Sequence, residues 1–256
     1  MIKTLFAKNN TLFIPFVMSG FPSVSISREA ILGLAQLGAD LIEVGIPFSD
    51  PIADGPINQC AASIAIHNHV TVKTVLDEIK SIRALNCQTP IMLFSYLNPI
   101  LAYGYKNFLD DAKKVGADGI LILDLPLEMG HDIYSYAKKI GLSFALLASP
   151  TTSVTRLNYY HALAPDFIYY IVRLGVTGIQ DQLPNDLEEK LLSLKTFVPK
   201  IPIVAGFGIA SIQDAKKVGA VADGVVVGSQ LMDILDKQGL GHMLAFAKQL
   251  LNTIGH

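Results

Sequence analysis

The amino-acid sequence predicts an α/β protein and, within that class, a (β/α)8 barrel (TIM barrel) with extra short helices. Eight short apolar segments alternate with longer amphipathic segments along the 256 residues, which is the order of elements in such a barrel. Several of the short segments are apolar at consecutive positions, as are parallel strands covered on both faces. No stretch rich in Pro, Gly or Ser divides the chain. We therefore expect a single domain over residues 1–256.

The predicted elements follow one another in a regular order. An open doubly wound sheet is the alternative, but it usually has fewer strands and often a Gly-rich loop after the first one. Here that loop is Ser19-Gly20-Phe21-Pro22, which favours the barrel. The strands are expected at 12–17, 41–44, 91–94, 119–123, 143–147, 167–172, 201–205 and 224–227, and helices at 27–37, 71–85, 105–115, 128–140 and 187–197.

A short phrase recurs just before some of these strands. It appears as Gly38-Ala39-Asp40 and Gly116-Ala117-Asp118, with a looser copy that runs from Gly219 to Asp223. Glycine readily takes the left-handed conformation that closes a helix. We expect each preceding helix to end at this glycine and the next strand to begin within a few residues.

Composition excludes several classes of protein. A hydrophobic share of 51% argues against a disordered chain. The 20 basic residues are scattered among 22 acidic ones, so nucleic acid is not an expected partner. No apolar run reaches the roughly 18 residues of a membrane-spanning helix, in spite of a mean hydropathy of +0.42. Cys60 and Cys87 form no disulfide framework, and residues 1–10 lack the pattern of a secretory signal, so a cytoplasmic location is expected.

Two acidic residues stand out at the ends of predicted strands, where a barrel enzyme places its chemistry. Glu43 lies inside an otherwise apolar strand, and loss of hydration there would raise its pKa and suit it to carry a proton near neutral pH. The alternative is a buried ion pair, but no neighbouring strand carries a Lys or Arg within its apolar run. Asp124 has the same placement, and it could equally cap a loop or hold a turn with Pro126.

The loop after the second strand carries two further carboxylates, Asp50 and Asp54. Prolines at positions 47, 51 and 56 fix φ and would hold these side chains in place. An ordinary surface loop is the alternative, because Asp-Pro and Asp-Gly pairs are common in turns. The residues alone leave both readings of Asp54 open.

Glycines after the last strands predict a phosphate site. Gly206-Phe207-Gly208 and Gly228-Ser229 follow strands 7 and 8, where barrel enzymes often bind phosphate through backbone N–H groups and a helix start. The segment from Gly175 to Gly178 resembles a mobile lid, in which Thr177 could hydrogen-bond a carboxylate. A tight turn and a simple connecting loop are the alternatives for these segments.

Absent residue types narrow the chemistry further. No Lys stands at a predicted strand end, which disfavours a Schiff-base aldolase. The histidines lie away from the strand ends, and His67-Asn68-His69 lacks the spacing of a zinc helix, so no metal site is expected. Proton transfer by carboxylates on a phosphorylated substrate is the chemistry that remains.

The chain resembles the tryptophan synthase alpha subunit family along nearly its whole length. The most specific passage runs from Glu43 to Pro56 and contains the phrase Pro-Phe-Ser-Asp-Pro-Ile-Ala-Asp-Gly-Pro. Shorter matches are Ile14-Pro15-Phe16, Gly175-Val176-Thr177-Gly178, Gly206-Phe207-Gly208-Ile209 and Gly228-Ser229. The resemblance implies cleavage of indole-3-glycerol phosphate to indole and glyceraldehyde 3-phosphate by a retro-aldol reaction.

The resemblance also implies roles for individual residues. Glu43 would protonate the indole ring carbon, and Asp54 would accept the ring N–H and stabilise the positive charge that develops on nitrogen. Tyr169 matches an active-site tyrosine, and Thr177 matches the threonine of the lid. The indole pocket would be walled by Phe16, Phe94, Tyr96, Leu121 and Phe207, and the phosphate would be held by Gly178, Gly208, Gly228 and Ser229.

A partner is implied as well. Members of this family work in an alpha2beta2 complex with a beta subunit that holds pyridoxal phosphate, so the cofactor would belong to the partner. The loop at 47–56 and the segment near Asn98-Pro99 would face that subunit.

Two other functions remain as alternatives. An isomerase or synthase built on another phosphate-binding barrel would be expected to use a Lys or an Asp at the end of strand 1, where this chain has Val17-Met18-Ser19. A barrel without activity, which only binds phosphate or activates a partner, would have no need for a buried carboxylate at Glu43.

Overall fold

Eight parallel strands form a closed barrel in which each strand pairs with its neighbours in sequence and β8 returns to β1, as predicted. The computed structural model describes residues 2–7, 10–172, 183–206 and 208–254. No helix in these ranges combines the length and the apolar character needed to cross a bilayer. The strands are β1 Leu12–Met18, β2 Ile42–Gly45, β3 Ile91–Ser95, β4 Gly119–Ile122, β5 Ser143–Ala148, β6 Phe167–Ile171, β7 Ile203–Gly206 and β8 Gly224–Val227.

Helices cover the outside of the barrel between the strands. All five predicted helices are present, and α2 begins at Val24 rather than at residue 27 because Ser23 caps it through the Ile26 N–H. The helices of the described chain are α1 Ile2–Leu5, α2 Val24–Leu37, α3 Pro56–His67, α4 Val72–Ala84, α5 Leu97–Tyr103, α6 Tyr105–Val115, α7 Leu127–Lys139, α8 Val154–Leu163, α9 Leu187–Phe197, α10 Ile212–Gly219, α11 Ser229–Gln238 and α12 Leu240–Ile254.

The recurring phrase ends three helices at its glycine, as predicted, and two of them close in the left-handed conformation. Gly38 and Gly116 close α2 and α6 in the left-handed conformation, with φ of 98° and 94°. For the third copy, α10 does end at Gly219 and β8 begins at Gly224, as predicted, but the left-handed closure is absent because the cap is Ala220 in a right-handed conformation. The chain continues as a turn there, with N–H bonds from Val221 and Ala222 to Val218.

The aspartate of the phrase has a structural role that its position did not suggest. Asp118 bonds twice to one residue of the preceding strand: its N–H donates to the Ile91 carbonyl at 2.8 Å, and its Oδ2 accepts the Ile91 N–H at 2.9 Å. We call this pair of hydrogen bonds, one through the aspartate N–H and one through its carboxylate, an aspartate clasp. The same clasp joins Asp40 to Phe13, Asp166 to Phe144, and Asp223 to Ile203.

Ion pairs strengthen two of these clasps at the N-terminal end of the barrel. Arg83 donates to Asp118 Oδ2 at 2.7 Å and also bonds the carbonyl oxygens of Cys87, Thr89 and Gly116. Lys195 donates to Asp223 Oδ1 at 2.8 Å. In barrels of this kind the N-terminal face serves stability, and the opposite face is free for chemistry.

We expect Asp118→Ala to destabilise the fold by about 2–3 kcal/mol, because it leaves the Ile91 N–H and the half-buried Arg83 guanidinium without their carboxylate. Urea unfolding measures this change in free energy. Asp166→Ala is the matched control, since its clasp has no ion pair among the described residues, and it should cost about 1 kcal/mol. Equal losses in the two variants would contradict a special role for Arg83.

Candidate active site

Glu43 lies on β2 with its side chain inside the barrel wall. It is level with Phe16 of β1 and Met92 of β3, and none of its surface is exposed. Neither carboxyl oxygen has a hydrogen-bond partner among the described residues, and the ion pairs of these residues do not include it. The buried ion pair considered as an alternative is therefore not found in the described chain. Burial raises the pKa of Glu43 from 4.5 to about 8, so the side chain is mostly protonated at neutral pH.

Asp54 lies just before α3 and is held by several bonds. Its side chain is buried, with 2% of the surface exposed. The Tyr96 hydroxyl donates to Oδ2 at 2.9 Å and itself accepts the Ala53 N–H at 3.1 Å. Gln59 donates to the Asp54 carbonyl at 2.7 Å. Asp54 is thus a fixed, buried carboxylate, in contrast to the exposed Asp50, which bonds the neighbouring Ser49.

The start of α3 explains why the loop turns inward at Asp54. Gly55 caps the helix, and Pro56 is its first residue, where a missing N–H costs nothing. The carboxylate therefore sits beside the positive end of a twelve-residue helix, which favours a negative charge there.

Asp124 has a structural contact. Its Oδ1 accepts the N–H of Leu97, the first residue of α5, at 2.6 Å. Of the two readings left open by the sequence, loop capping is the one that this contact supports.

A cavity connects the two carboxylates with the glycine turns. It opens at the C-terminal ends of the strands, and its aromatic wall includes an edge-to-face pair, Phe16 and Phe94, with ring centroids 5.1 Å apart. The described residues that line it are Phe16, Glu43, Asp54, Asn58, Phe94, Tyr169, Gly208, Ile209, Ala210, Val226, Gly228, Ser229 and Gln230.

Most of the predicted site residues meet in this cavity. Two do not line it: Tyr96 lies beside it and reaches Asp54 through its hydroxyl, and Leu121 is buried in β4 next to Phe94. Three others, Thr177, Phe207 and Gly178, lie outside the described residues, so their predicted roles are not tested. The cavity brings together eight predicted residues: Phe16, Glu43, Asp54, Phe94, Tyr169, Gly208, Gly228 and Ser229.

The sequence argument missed five lining residues, and some of them had a signal. Val226 lies on β8, two positions before Gly228, which directly follows the strand, so the period of a strand places both on one face. Asn58 lies in the first turn of α3, and the signal for the start of this helix is Pro56 at its first position after the capping Gly55. The other three, Ile209, Ala210 and Gln230, directly follow the predicted glycine and serine residues and carried no signal of their own.

The Tyr169 side chain packs against Gly206 of the adjacent strand β7 and leaves no space there for a side chain. A Cβ atom on Gly206 would lie 2.3 Å from the Tyr169 hydroxyl oxygen. Burial raises the pKa of Tyr169 well above 10, and the charges of Glu43 and Asp54 raise it further. The hydroxyl therefore remains protonated and able to donate in the interior of the site.

A helix start faces the other end of the cavity. Gly228 caps the ten-residue helix α11, which begins at Ser229, and both residues line the cavity. The free N–H groups of a helix start attract anions. At the start of α10, Ser211 caps the helix: its hydroxyl accepts the Asp214 N–H at 3.1 Å and donates to the Asp214 carboxylate.

Comparisons with known proteins find the same family by sequence and by structure. The family model described as tryptophan synthase alpha chain matches residues 2–253. The chain is similar to the tryptophan synthase alpha chain of Pelobacter propionicus, with 40% identity over 89% of this chain and 84% of that one. It is 36% identical to the tryptophan synthase of Saccharomyces cerevisiae over 96% of its own length but spans only 35% of the yeast protein. The crystal structure of the Legionella pneumophila tryptophan synthase alpha chain superposes with a TM-score of 0.88 at 32% identity, covering 99% and 95% of the two chains.

We expect Glu43→Gln to become more stable relative to the wild type as the pH rises from about 4.5 to about 8. In this window the folded wild type keeps the Glu43 proton that the unfolded chain releases, so a rising pH favours unfolding. The difference should grow by up to about 1.4 kcal/mol per pH unit. Urea unfolding of both proteins at pH 5 and pH 8 measures it, and an equal difference at the two pH values would contradict a buried, protonated Glu43.

Proposed function

This chain belongs to the tryptophan synthase alpha chain family, and on that premise we propose that it cleaves indole-3-glycerol phosphate to indole and glyceraldehyde 3-phosphate in tryptophan synthesis. One observation carries the proposal: a fully buried Glu43 and a fixed Asp54 line one aromatic cavity whose far end is a glycine-capped helix start. Each part of this cavity matches one part of the substrate.

The substrate would lie with its ring among the aromatic side chains and its phosphate at the helix start. Phe16 and Phe94 offer apolar faces for the indole ring. Gly208, Gly228 and Ser229 would bind the phosphate through backbone N–H groups and a hydroxyl, together with Gly178 of the lid. No lysine is needed for this kind of binding.

The reaction breaks the bond between indole C3 and the first carbon of the glycerol chain. Glu43 would donate its proton to C3, for which the raised pKa suits it. The ring nitrogen then carries a positive charge, and the fixed Asp54 carboxylate would accept the N–H and stabilise that charge. When the C–C bond breaks, its electrons return to the ring, the glycerol hydroxyl becomes the aldehyde, and its proton returns to the Glu43 carboxylate. Protons and electrons balance without another reactant.

We also propose the partner that the family implies, a beta subunit in an alpha2beta2 complex. Apolar side chains are exposed near the cavity mouth, including Ile52 at 73% on the loop after β2 and Leu101 at 50% on α5. The loop at 47–56 and the segment at Asn98-Pro99 would face that subunit, which would hold the pyridoxal phosphate; no cofactor role is proposed for this chain. The two cysteines are free thiols, in keeping with the reducing conditions of the cytoplasm, where we place the complex.

Incubation of the purified chain with indole-3-glycerol phosphate tests the function directly. We expect indole and glyceraldehyde 3-phosphate in equal amounts, with faster release when a beta subunit is added. If neither product forms with or without that subunit, the proposed function is wrong.

We expect Glu43→Gln to lose nearly all turnover, because an amide cannot donate the proton that C3 requires. Affinity for glyceraldehyde 3-phosphate, measured by calorimetry, should be retained because the phosphate end of the cavity is unchanged. A variant that cleaves the substrate at close to the wild-type rate would rule out Glu43 as the acid.

We expect Asp54→Asn to lower kcat by on the order of 10²-fold, which is typical of removing one group that stabilises charge in the transition state. Steady-state kinetics of indole release measures this change. An unchanged kcat would remove Asp54 from the mechanism.

A further inference from the structure

Asn58 is a buried polar side chain in the wall of the cavity, and the cleavage as described does not require it. It lies in the first turn of α3, with 6% of its surface exposed. Its Nδ2 is 3.4 Å from Asp54 Oδ1. Because an ionised carboxylate only accepts hydrogen bonds, the amide nitrogen is the atom that must face it. The Asn58 Oδ1 is buried and has no hydrogen-bond partner among the described residues.

This arrangement does not favour folding. A buried amide oxygen without a partner costs free energy, and an apolar side chain of similar shape would avoid that cost. Phe16, Phe94, Ile209 and Val226 in the same cavity are all apolar. An amide at this position therefore indicates a contribution to the site rather than to stability.

Asn58 and Tyr96 act on opposite oxygens of the same carboxylate. Tyr96 donates to Oδ2, and Asn58 donates to Oδ1. Burial raises the pKa of Tyr96, and so does the charge of Asp54, so the phenol keeps its proton and remains a donor. Both donors are neutral, and they orient the carboxylate without cancelling its charge.

We propose that Asn58 is a positioning residue for the cleavage: with Tyr96 it holds the two oxygens of Asp54 so that a remaining lone pair is directed at the ring N–H of the substrate. This inference rests on the proposed function. A carboxylate has about four acceptor positions, which is more than Asn58 and Tyr96 occupy. A charge that is oriented before the reaction stabilises the ring cation without further reorganisation.

Asn58→Leu tests the inference, because leucine keeps the branched shape and removes the donor. We expect kcat for indole release to fall about tenfold, KM to rise because the contact with the ring N–H is weakened in the ground state as well, and the melting temperature to stay the same or rise. Gln59→Leu is the matched control: it removes an amide from the same helix whose partner is the main-chain oxygen of Asp54. Its effect on kcat should be smaller.

The positioning role of Asn58 can also be tested by binding of ligands that the enzyme cannot cleave. Calorimetry compares indole-3-propyl phosphate, which lacks the hydroxyls needed for cleavage, with its benzofuran counterpart, in which a ring oxygen replaces the N–H. The wild type should prefer the indole ligand, Asn58→Leu and Tyr96→Phe should reduce that preference about tenfold, and Gln59→Leu, which loses a bond to the main chain of Asp54 and not to its carboxylate, should reduce it less. If Asn58→Leu keeps the wild-type preference, the inference is wrong whatever its kcat. A wild-type chain that releases no indole with or without a beta subunit refutes the proposed function, whereas an unchanged ligand preference in Asn58→Leu refutes only the positioning role of Asn58.

Discussion

Glu43 occupies the interior of the barrel without a counter-charge in the described chain, and the rest of the site depends on this burial. Water is excluded there by neighbouring strands that are apolar at consecutive positions, and the carboxyl group responds by keeping its proton. The same environment keeps the Tyr169 phenol neutral. An acid that holds its proton at neutral pH follows from the fold itself, because an inward position on β2 offers this side chain no water.

The two ends of the barrel use carboxylates in opposite ways. At the N-terminal end, aspartates accept backbone N–H groups, and two of them also bind Arg83 or Lys195, so their charges are used for stability. At the C-terminal end, Glu43 lacks partners among the described residues, and Asp54 is oriented by neutral donors. The chemistry proposed for this cavity requires carboxyl groups whose protons and charges are not already committed to the fold.

The sequence predicted well what depends on local pattern. Strands covered on both faces are apolar at consecutive positions, so all eight were recognised, and Glu43 stood out because it interrupts one of them. The helices that were not predicted include α3 and α5, since the first follows a proline-rich loop and the second is only seven residues long. Three features depend on residues far apart in the chain. They are the contact of Asp124 with α5, the clasp between each aspartate and the preceding strand, and the position of Tyr96 beside the cavity rather than in its wall. Periodicity and turn signals carry no information on such pairings.

The aspartate clasps divide the eight strands into four pairs: β1 with β2, β3 with β4, β5 with β6, and β7 with β8. The barrel is thus built from four units of two strands. In each unit one clasp, a main-chain hydrogen bond and a carboxylate hydrogen bond, joins the two strands. Cleavage of the chain between β4 and β5 separates two halves of four strands each and breaks none of the four clasps. Reassembly of the enzyme from two separately produced half-barrels is therefore a route that this architecture leaves open.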